Sequence, residues 1–319
     1  MTKFRKNLPQ MHGKDMVGAW GMGTWLQFVD GIEAPHYATF RWLNDPKALA
    51  ALRDYHCKVI EAAMPYGIGI LTDGLHYRAS RDWGELIGYS KEALAEVNFK
   101  GIEFCRELAK EFETPDYPMP LCGGIGPRGD AYNVGSTPNA SEAEDYHAEQ
   151  IETLKQAGAD LIIAATFSSI DEAVGVVRAA EALEMPVSVS FTLNSEGVMA
   201  SGRTLQEAIE QTDAATEGAV AYYTTNCSHP LEFEPALKPG AWLDRLYGFM
   251  PNAVSLEKGT LCKLGHLEDG DPIELGQQMG DLARRFPHMR VWGGCCGTDA
   301  RHIGEICRNI AAVRAEPVT

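Results

Sequence analysis

Short apolar runs alternate with amphipathic stretches along the whole chain. The runs at 16–24, 67–74, 119–126, 159–167, 186–193, 218–227, 252–259 and 289–297 read as strands. They are continuous rather than alternating, which is the pattern of strands buried on both faces of a parallel sheet. Between them, 46–64, 90–112, 141–157, 169–184, 204–216, 239–249, 273–286 and 299–314 carry helical spacing. Asn44-Asp45-Pro46, Ser90, Ser141 and Ser169 supply start signals, as capping side chains or a first-turn proline. Eight strand–helix units in one chain predict a (β/α)₈ barrel, a TIM-type α/β fold occupying residues 1–319 as a single domain. An open doubly wound sheet is the alternative, but it has no need of eight units. The long segments 24–45 and 126–140 are then loops leaving strands one and three, at the end of the barrel where active sites are built.

Composition narrows the partners. The 319 residues carry a formal net charge of −16, which repels phosphate backbones and anionic lipid surfaces. Nucleic acid and membrane are therefore not expected partners, and no apolar stretch has the length of a membrane span. Self-association into a homo-oligomer is left open. The N-terminus lacks a secretory apolar stretch, and the eight cysteines are scattered rather than packed into a disulfide framework, so a reduced cytoplasmic protein is expected.

The cysteines also carry the candidate chemistry. Cys295 and Cys296 adjoin at the end of the eighth run, with Gly293 and Gly294 before them and Gly297 after. Cys227 ends the sixth run. Three thiolates converging on the catalytic face would suit Zn²⁺, which favours soft sulfur and becomes catalytic when a fourth position stays open. Adjacent residues of a strand point opposite ways, so sharing a metal requires a sharp turn, which the glycines permit. The plain alternative is a buried apolar Cys-Cys step. Cys122 and Cys262 are placed on the same face, and spacing alone leaves either as the third ligand. His229, two residues beyond Cys227, reads as a structural residue before the turn at Pro230, with ligand or base as the other reading. Arg128 and Asp130 order a loop or hold a substrate carboxylate.

The segments GGCCGT (293–298) and TNCSHP (225–230), together with GMGT (21–24), YRAS (77–80), IGPRGD (125–130) and VSFT (189–192), resemble the homocysteine S-methyltransferase family. The resemblance implies a zinc-bearing barrel with Cys227, Cys295 and Cys296 as ligands, which moves a methyl group onto a thiol. It also marks two departures. Ala19 stands where the family opens with Asp, and Ala165-Thr166 stands for its Glu-Thr step, so two carboxylates that hold the homocysteine amino group are missing.

The chain is thus expected to be a zinc-dependent S-methyltransferase whose partners are a small-molecule thiol acceptor and a cationic methyl donor, a sulfonium or quaternary ammonium. Homocysteine is the first acceptor, giving methionine. The alternatives are another small thiol or selenol, or a non-catalytic zinc- or thiol-sensing protein. Asp73 and Glu257, placed at the ends of strands two and seven, are the candidate replacement carboxylates. Trp25, Trp42 and Tyr77 are the aromatic candidates for the donor, and Thr166 for general substrate contact.

Overall fold

In the computed structural model, which describes residues 2–132, 135, 137–256, 261 and 264–316, eight parallel strands form one sheet. They are β1 (Met16–Ala19), β2 (Gly69–Leu71), β3 (Cys122–Ile125), β4 (Leu161–Phe167), β5 (Val187–Phe191), β6 (Tyr222–Asn226), β7 (Leu246–Met250) and β8 (Val291–Gly294). The hydrogen-bonded order β2-β1-β8-β7-β6-β5-β4-β3 leaves β2 and β3 to meet. They do so through Ile70 N–H and Thr72 N–H, which donate to the carbonyls of Pro118 and Pro120 at 3.1 and 3.4 Å. Neither proline has an N–H to return, so these backbone bonds run one way, and β3 answers only through Cys122 N–H, which donates to the Thr72 hydroxyl at 3.3 Å. The (β/α)₈ barrel expected from the run pattern is the fold observed.

The helices that wrap it are α1 (Met22–Phe28), α2 (Pro46–Ala63), α3 (Arg81–Leu86), α4 (Lys91–Phe112), α5 (Ala140–Ala157), α6 (Ile170–Ala182), α7 (Leu205–Ala215), α8 (Pro230–Phe233), α9 (Pro272–Arg285) and α10 (Ala300–Ala315). Most of their entries follow the capping signals, but α5 is capped by Asn139, which accepts from the N–H groups of Ser141 and Glu142, rather than by Ser141 itself. Asp45 accepts from Lys47 and Ala48 N–H at 2.8 and 3.2 Å, and Ser90 accepts from Ala93 N–H.

Strand alternation separates two cores. On β5, Val187, Val189 and Phe191 join the large layer beneath the helices. Inside the barrel a smaller cluster of Met16, Leu71, Cys122, Leu161, Ile163, Tyr222, Met250 and Val291 fills the floor. Leu8 belongs to that cluster, and Gln10 donates to the Tyr222 hydroxyl at 3.0 Å. Buried Asp160 accepts from the N–H groups of Phe4, Arg5 and Leu121, which fastens the N-terminal segment across the floor. No helix among the described residues is long and apolar enough to cross a membrane.

Two sequence expectations need correction. The seventh strand is Leu246–Met250, not 252–259, and the expected helix over 239–249 is a short 3₁₀ turn, Ala241–Arg245, leading into that strand. The apolar positions 242, 243, 246, 247, 249 and 250 mimic helical spacing. Gly248 decides the strand, because a Cβ there would lie 1.5 Å from the Val291 carbonyl oxygen of β8. Cys122 is the first residue of β3 rather than its end, so it lies in the floor cluster, away from the mouth.

His56 of α2 is buried, its imidazole packed edge-on to Phe104, and burial depresses its pKa to about 4. Below about pH 6.5 the unfolded chain gains a proton there that the folded chain refuses until about pH 4. Stability from this group is therefore full above the upper value and declines through the window by up to about 3 kcal/mol. Urea unfolding of wild type and His56→Leu across that range is expected to show the decline shrinking in the variant; equal slopes would refute the assignment.

Candidate metal centre

The backbone at the ends of β6 and β8 brings the thiols together. Cys227 follows β6 in the left-handed region at φ 54°, and its N–H donates to the Met250 carbonyl at 3.1 Å. Beyond β8, Cys295 N–H donates to Pro251 O at 2.7 Å, and Ala253 N–H donates to Cys296 O at 3.0 Å. Thr298 closes the turn, donating from N–H and Oγ1 to the Cys295 carbonyl at 3.1 and 2.7 Å. Gly293 adopts φ 144° and Gly297 φ 82°, and Cβ atoms there would lie 1.9 Å from Gly18 O and 2.4 Å from Glu268 O. Both positions thus combine an unfavourable backbone with a lack of room, which only glycine tolerates. The strand alternation breaks, and the ligand atoms of Cys227, Cys295 and Cys296 all lie within 4.8 Å of one another. Cys227 and Cys295 are joined as a disulfide in this structure, 5.5 Å apart at Cα, so all three sulfurs become available to a metal once that bond is reduced.

Asn226 braces this nest. Its Nδ2 donates to Thr166 Oγ1 at 2.7 Å and to the Cys227 sulfur at 3.3 Å, and lies 3.9 Å from the Cys295 sulfur. Its Oδ1 accepts from the N–H of Thr166, itself held at φ 65°. Asn252 Nδ2 donates to the Cys227 carbonyl at 3.2 Å, while its buried Oδ1 has no partner among the described residues. Neither asparagine was singled out from the sequence; Asn226 stood beside Cys227 in TNCSHP, but nothing in its spacing showed that it reaches two sulfurs.

The three cysteines line a cavity of about 470 Å³ at the barrel mouth. Thr166, Tyr77 and Asp73 share it, as do Trp20, Tyr37 and Ala165. Burial pushes the Tyr77 phenol up to about 12 and that of Tyr37 well above its ordinary value, with Cys296 the next cause for Tyr37 and Asp73 a smaller one. Both phenols are therefore neutral hydrogen-bonding groups at pH 7. Asp73 accepts from Leu75 N–H at 3.1 Å and lies 3.7 Å from buried His76. Arg78, a nearby cation, is not paired with Asp73 but lies 3.6 Å from Asp130 and donates to the His36 carbonyl.

The other expected residues fall elsewhere. Trp25 and Trp42 do not line the cavity: Trp42 is buried with Nε1 on the Glu33 carbonyl at 3.0 Å, and Trp25 packs on the core while its carbonyl accepts from Val29 N–H. Glu257 and Cys262 lie outside the described residues, and position 257 is seven residues past the end of β7, not at it. His229 caps α8, accepting from Leu231 N–H at Nδ1. Arg128 is held by Asp82 at 2.7 Å.

The sequence profile of the homocysteine S-methyltransferases matches residues 18–310. The chain belongs to this family. Two methionine synthases are similar: that of Mycobacterium leprae (strain TN) at 25% identity over 69% of this chain and 18% of its own length, and that of Mycobacterium tuberculosis (strain ATCC 25618 / H37Rv) at 24% over 94% and 25%. The chain thus spans a quarter or less of these relatives. The homocysteine methyltransferase MmuM from Escherichia coli has the same fold in its oxidized and metallated forms. Their TM-scores are 0.71 and 0.70 at 18% identity, covering 92% and 94% of this chain and 94% and 98% of the respective matched chains.

Replacing Asn226 by Ala would strand the buried Thr166 N–H and remove the donor from the sulfurs. A loss of about 2 kcal/mol in urea unfolding is expected. A loss below about 0.5 kcal/mol, the range of ordinary surface changes, would show that the bracket is not structural.

Proposed function

We propose that this protein is a zinc-dependent thiol S-methyltransferase that uses a sulfonium or quaternary ammonium donor. The observation that carries the reading is the three cysteine ligand atoms within 4.8 Å at the wall of a cavity. The donor set fits zinc: three sulfurs suit a soft, tetrahedral ion, and Asn252, whose buried Oδ1 has no partner among the described residues, lines the same cavity. Cys227, Cys295 and Cys296 would hold the ion. Bound there, zinc supplies the means of keeping an acceptor thiol deprotonated at neutral pH.

The chain's own groups do the rest. Asn226 donates toward the ligand sulfurs and so stabilises their charge. Tyr37, Tyr77 and Trp20 offer aromatic surface to a cationic donor, worth about 1–2 kcal/mol when water is excluded. Methyl transfer from an onium to a thiolate neutralises charge, so a dry, weakly polar wall favours it over the separated ions. Asp73 supplies an anion facing the cavity with no Lys or Arg paired to it among the described residues. It is the proposed anchor for an ammonium group, with Glu257 as a second candidate from the segment after β7.

Homocysteine is the proposed first acceptor, giving methionine, on the strength of the family and of what its named relatives act on. Ala19 and Ala165 favour a second reading, in which the same chemistry serves another small thiol or selenol, because no carboxylate stands at either position. A soluble cytoplasmic setting and small-molecule partners complete the proposal, with self-association left open.

Zinc-edge X-ray absorption of reduced protein tests the centre. Three sulfur neighbours rising to four with homocysteine are expected; no bound zinc would overturn the reading, and three that stay three would select the second acceptor class. Asp73→Ala tests the anchor. Losing a charge-assisted contact of about 2–3 kcal/mol should weaken homocysteine binding roughly 30- to 150-fold, and unchanged affinity would remove Asp73 from recognition.

A further inference from the structure

The wall of the cavity contributed by the first loop contains a corner, Pro35–Tyr37, in which two consecutive non-glycine residues are left-handed: His36 at φ 55° and Tyr37 at φ 54°. Each such residue costs about 1 kcal/mol or more, so the corner persists only because contacts hold it. The base of the loop is anchored separately, by Trp42 Nε1 on the Glu33 carbonyl, and Ala38 beyond the corner is buried. Pro35 and His36 between these anchors are exposed, and two turn bonds close the corner: Tyr37 N–H to Ala34 O at 2.8 Å and Ala38 N–H to Pro35 O at 3.0 Å.

Two contacts of polar groups oppose the strain, beside an edge-on contact of the Tyr37 ring with that of Tyr77 at 6.4 Å between centroids. Gly23 of α1 leaves a notch filled by the Tyr37 hydroxyl, where a Cβ would lie 2.0 Å from that oxygen. The other is Arg78, on the loop after β2. Its Nη1 donates to the His36 carbonyl, its Nη2 lies 3.6 Å from Asp130 of the loop after β3, and its guanidinium sits 3.8 Å from the Trp83 ring centroid and 6.0 Å from that of Tyr37. One planar, always-charged group thus ties three loops together, with its side chain only 13% exposed. His36, Tyr37, Arg78 and Asp130 all line the cavity.

We propose that Arg78 is a positioning residue that latches the Pro35–Tyr37 corner shut, and that this corner is the gate through which ligands reach the thiol cavity. Opening breaks the Arg78–His36 bond, withdraws Tyr37 from the Gly23 notch and relieves two strained residues. The cost of opening is therefore small compared with moving any helix, and the gate can work without disturbing the nest of cysteines. The inference goes beyond the methyl-transfer reading and holds for any ligand of this cavity.

Hydrogen exchange of the full chain tests it without turnover or metal. Arg78→Ala and Gly23→Ala are each expected to speed exchange at the Tyr37 and Ala38 amides about tenfold, with α2 unchanged. Arg78→Lys, which satisfies one acceptor at a time, should give an intermediate increase of about threefold. Wild-type exchange in Arg78→Ala, or an equal rise in α2, would overturn the latch; Gly23→Ala and Arg78→Lys keep the test open where Arg78→Ala does not fold. With a thiol and onium donor that turn over, Arg78→Ala should raise KM more than it lowers kcat. A fall in kcat at constant KM would overturn the gate.

Discussion

Everything at the mouth of this barrel depends on one backbone constraint: β8 must stop alternating at its last residues. Two neighbouring thiols can share an opening only if the chain turns between them, and here the turn is held from outside by the strip 251–253 and from inside by Thr298. Glycine at 293 lets β8 lie against β1, and glycine at 297 lets the turn lie against the Glu268 carbonyl. These are steric demands rather than preferences, since each Cβ would overlap a backbone oxygen. The chemistry of the site is thus set by main-chain packing before any side chain is considered.

Around that fixed nest the polar groups are arranged so that little charge is free. The phenols of Tyr37 and Tyr77 are neutral, and burial keeps them so to higher pH, Arg78 is paired with Asp130, and Asn226 directs its amide to Thr166 and the sulfurs. Asp73 is the exception, with an N–H and a buried histidine for company. Asp73, Asp130 and Glu268 line the cavity with Arg78 as the one Lys or Arg among the described lining residues, a balance that selects for positive charge.

The barrel was legible because its information is local: continuous apolar runs, capping residues before helices, and eight repeats. The errors came where local pattern and tertiary packing disagree. Residues 242–250 carry helical spacing, yet Gly248 has to approach β8, so they form a turn and a strand. Cys122 was placed at the wrong end of its strand because two prolines extend the apolar run ahead of β3. The three cysteines of the nest could be named from motif and strand ends together. Trp25 and Trp42 could not be distinguished from Trp20 and Tyr37, because a long loop gives no rule for which ring turns inward. Asn252 and Arg78 matter through partners far along the chain, and no sequence spacing encodes those.

The seam between β2 and β3 divides labour within the ring. Cys227 and Cys295 follow β6 and β8, which pair with strands on both sides, whereas Asp73 follows β2, which pairs in the sheet with β1 alone. Geometry that must be kept to fractions of an ångström is thus built into the closed part of the hoop, and the residue that reads the ligand's charge sits beside its clasp. Substitutions near the clasp can retune what is admitted while the reactive centre keeps its shape, so a single scaffold can drift between substrates without reinventing its chemistry.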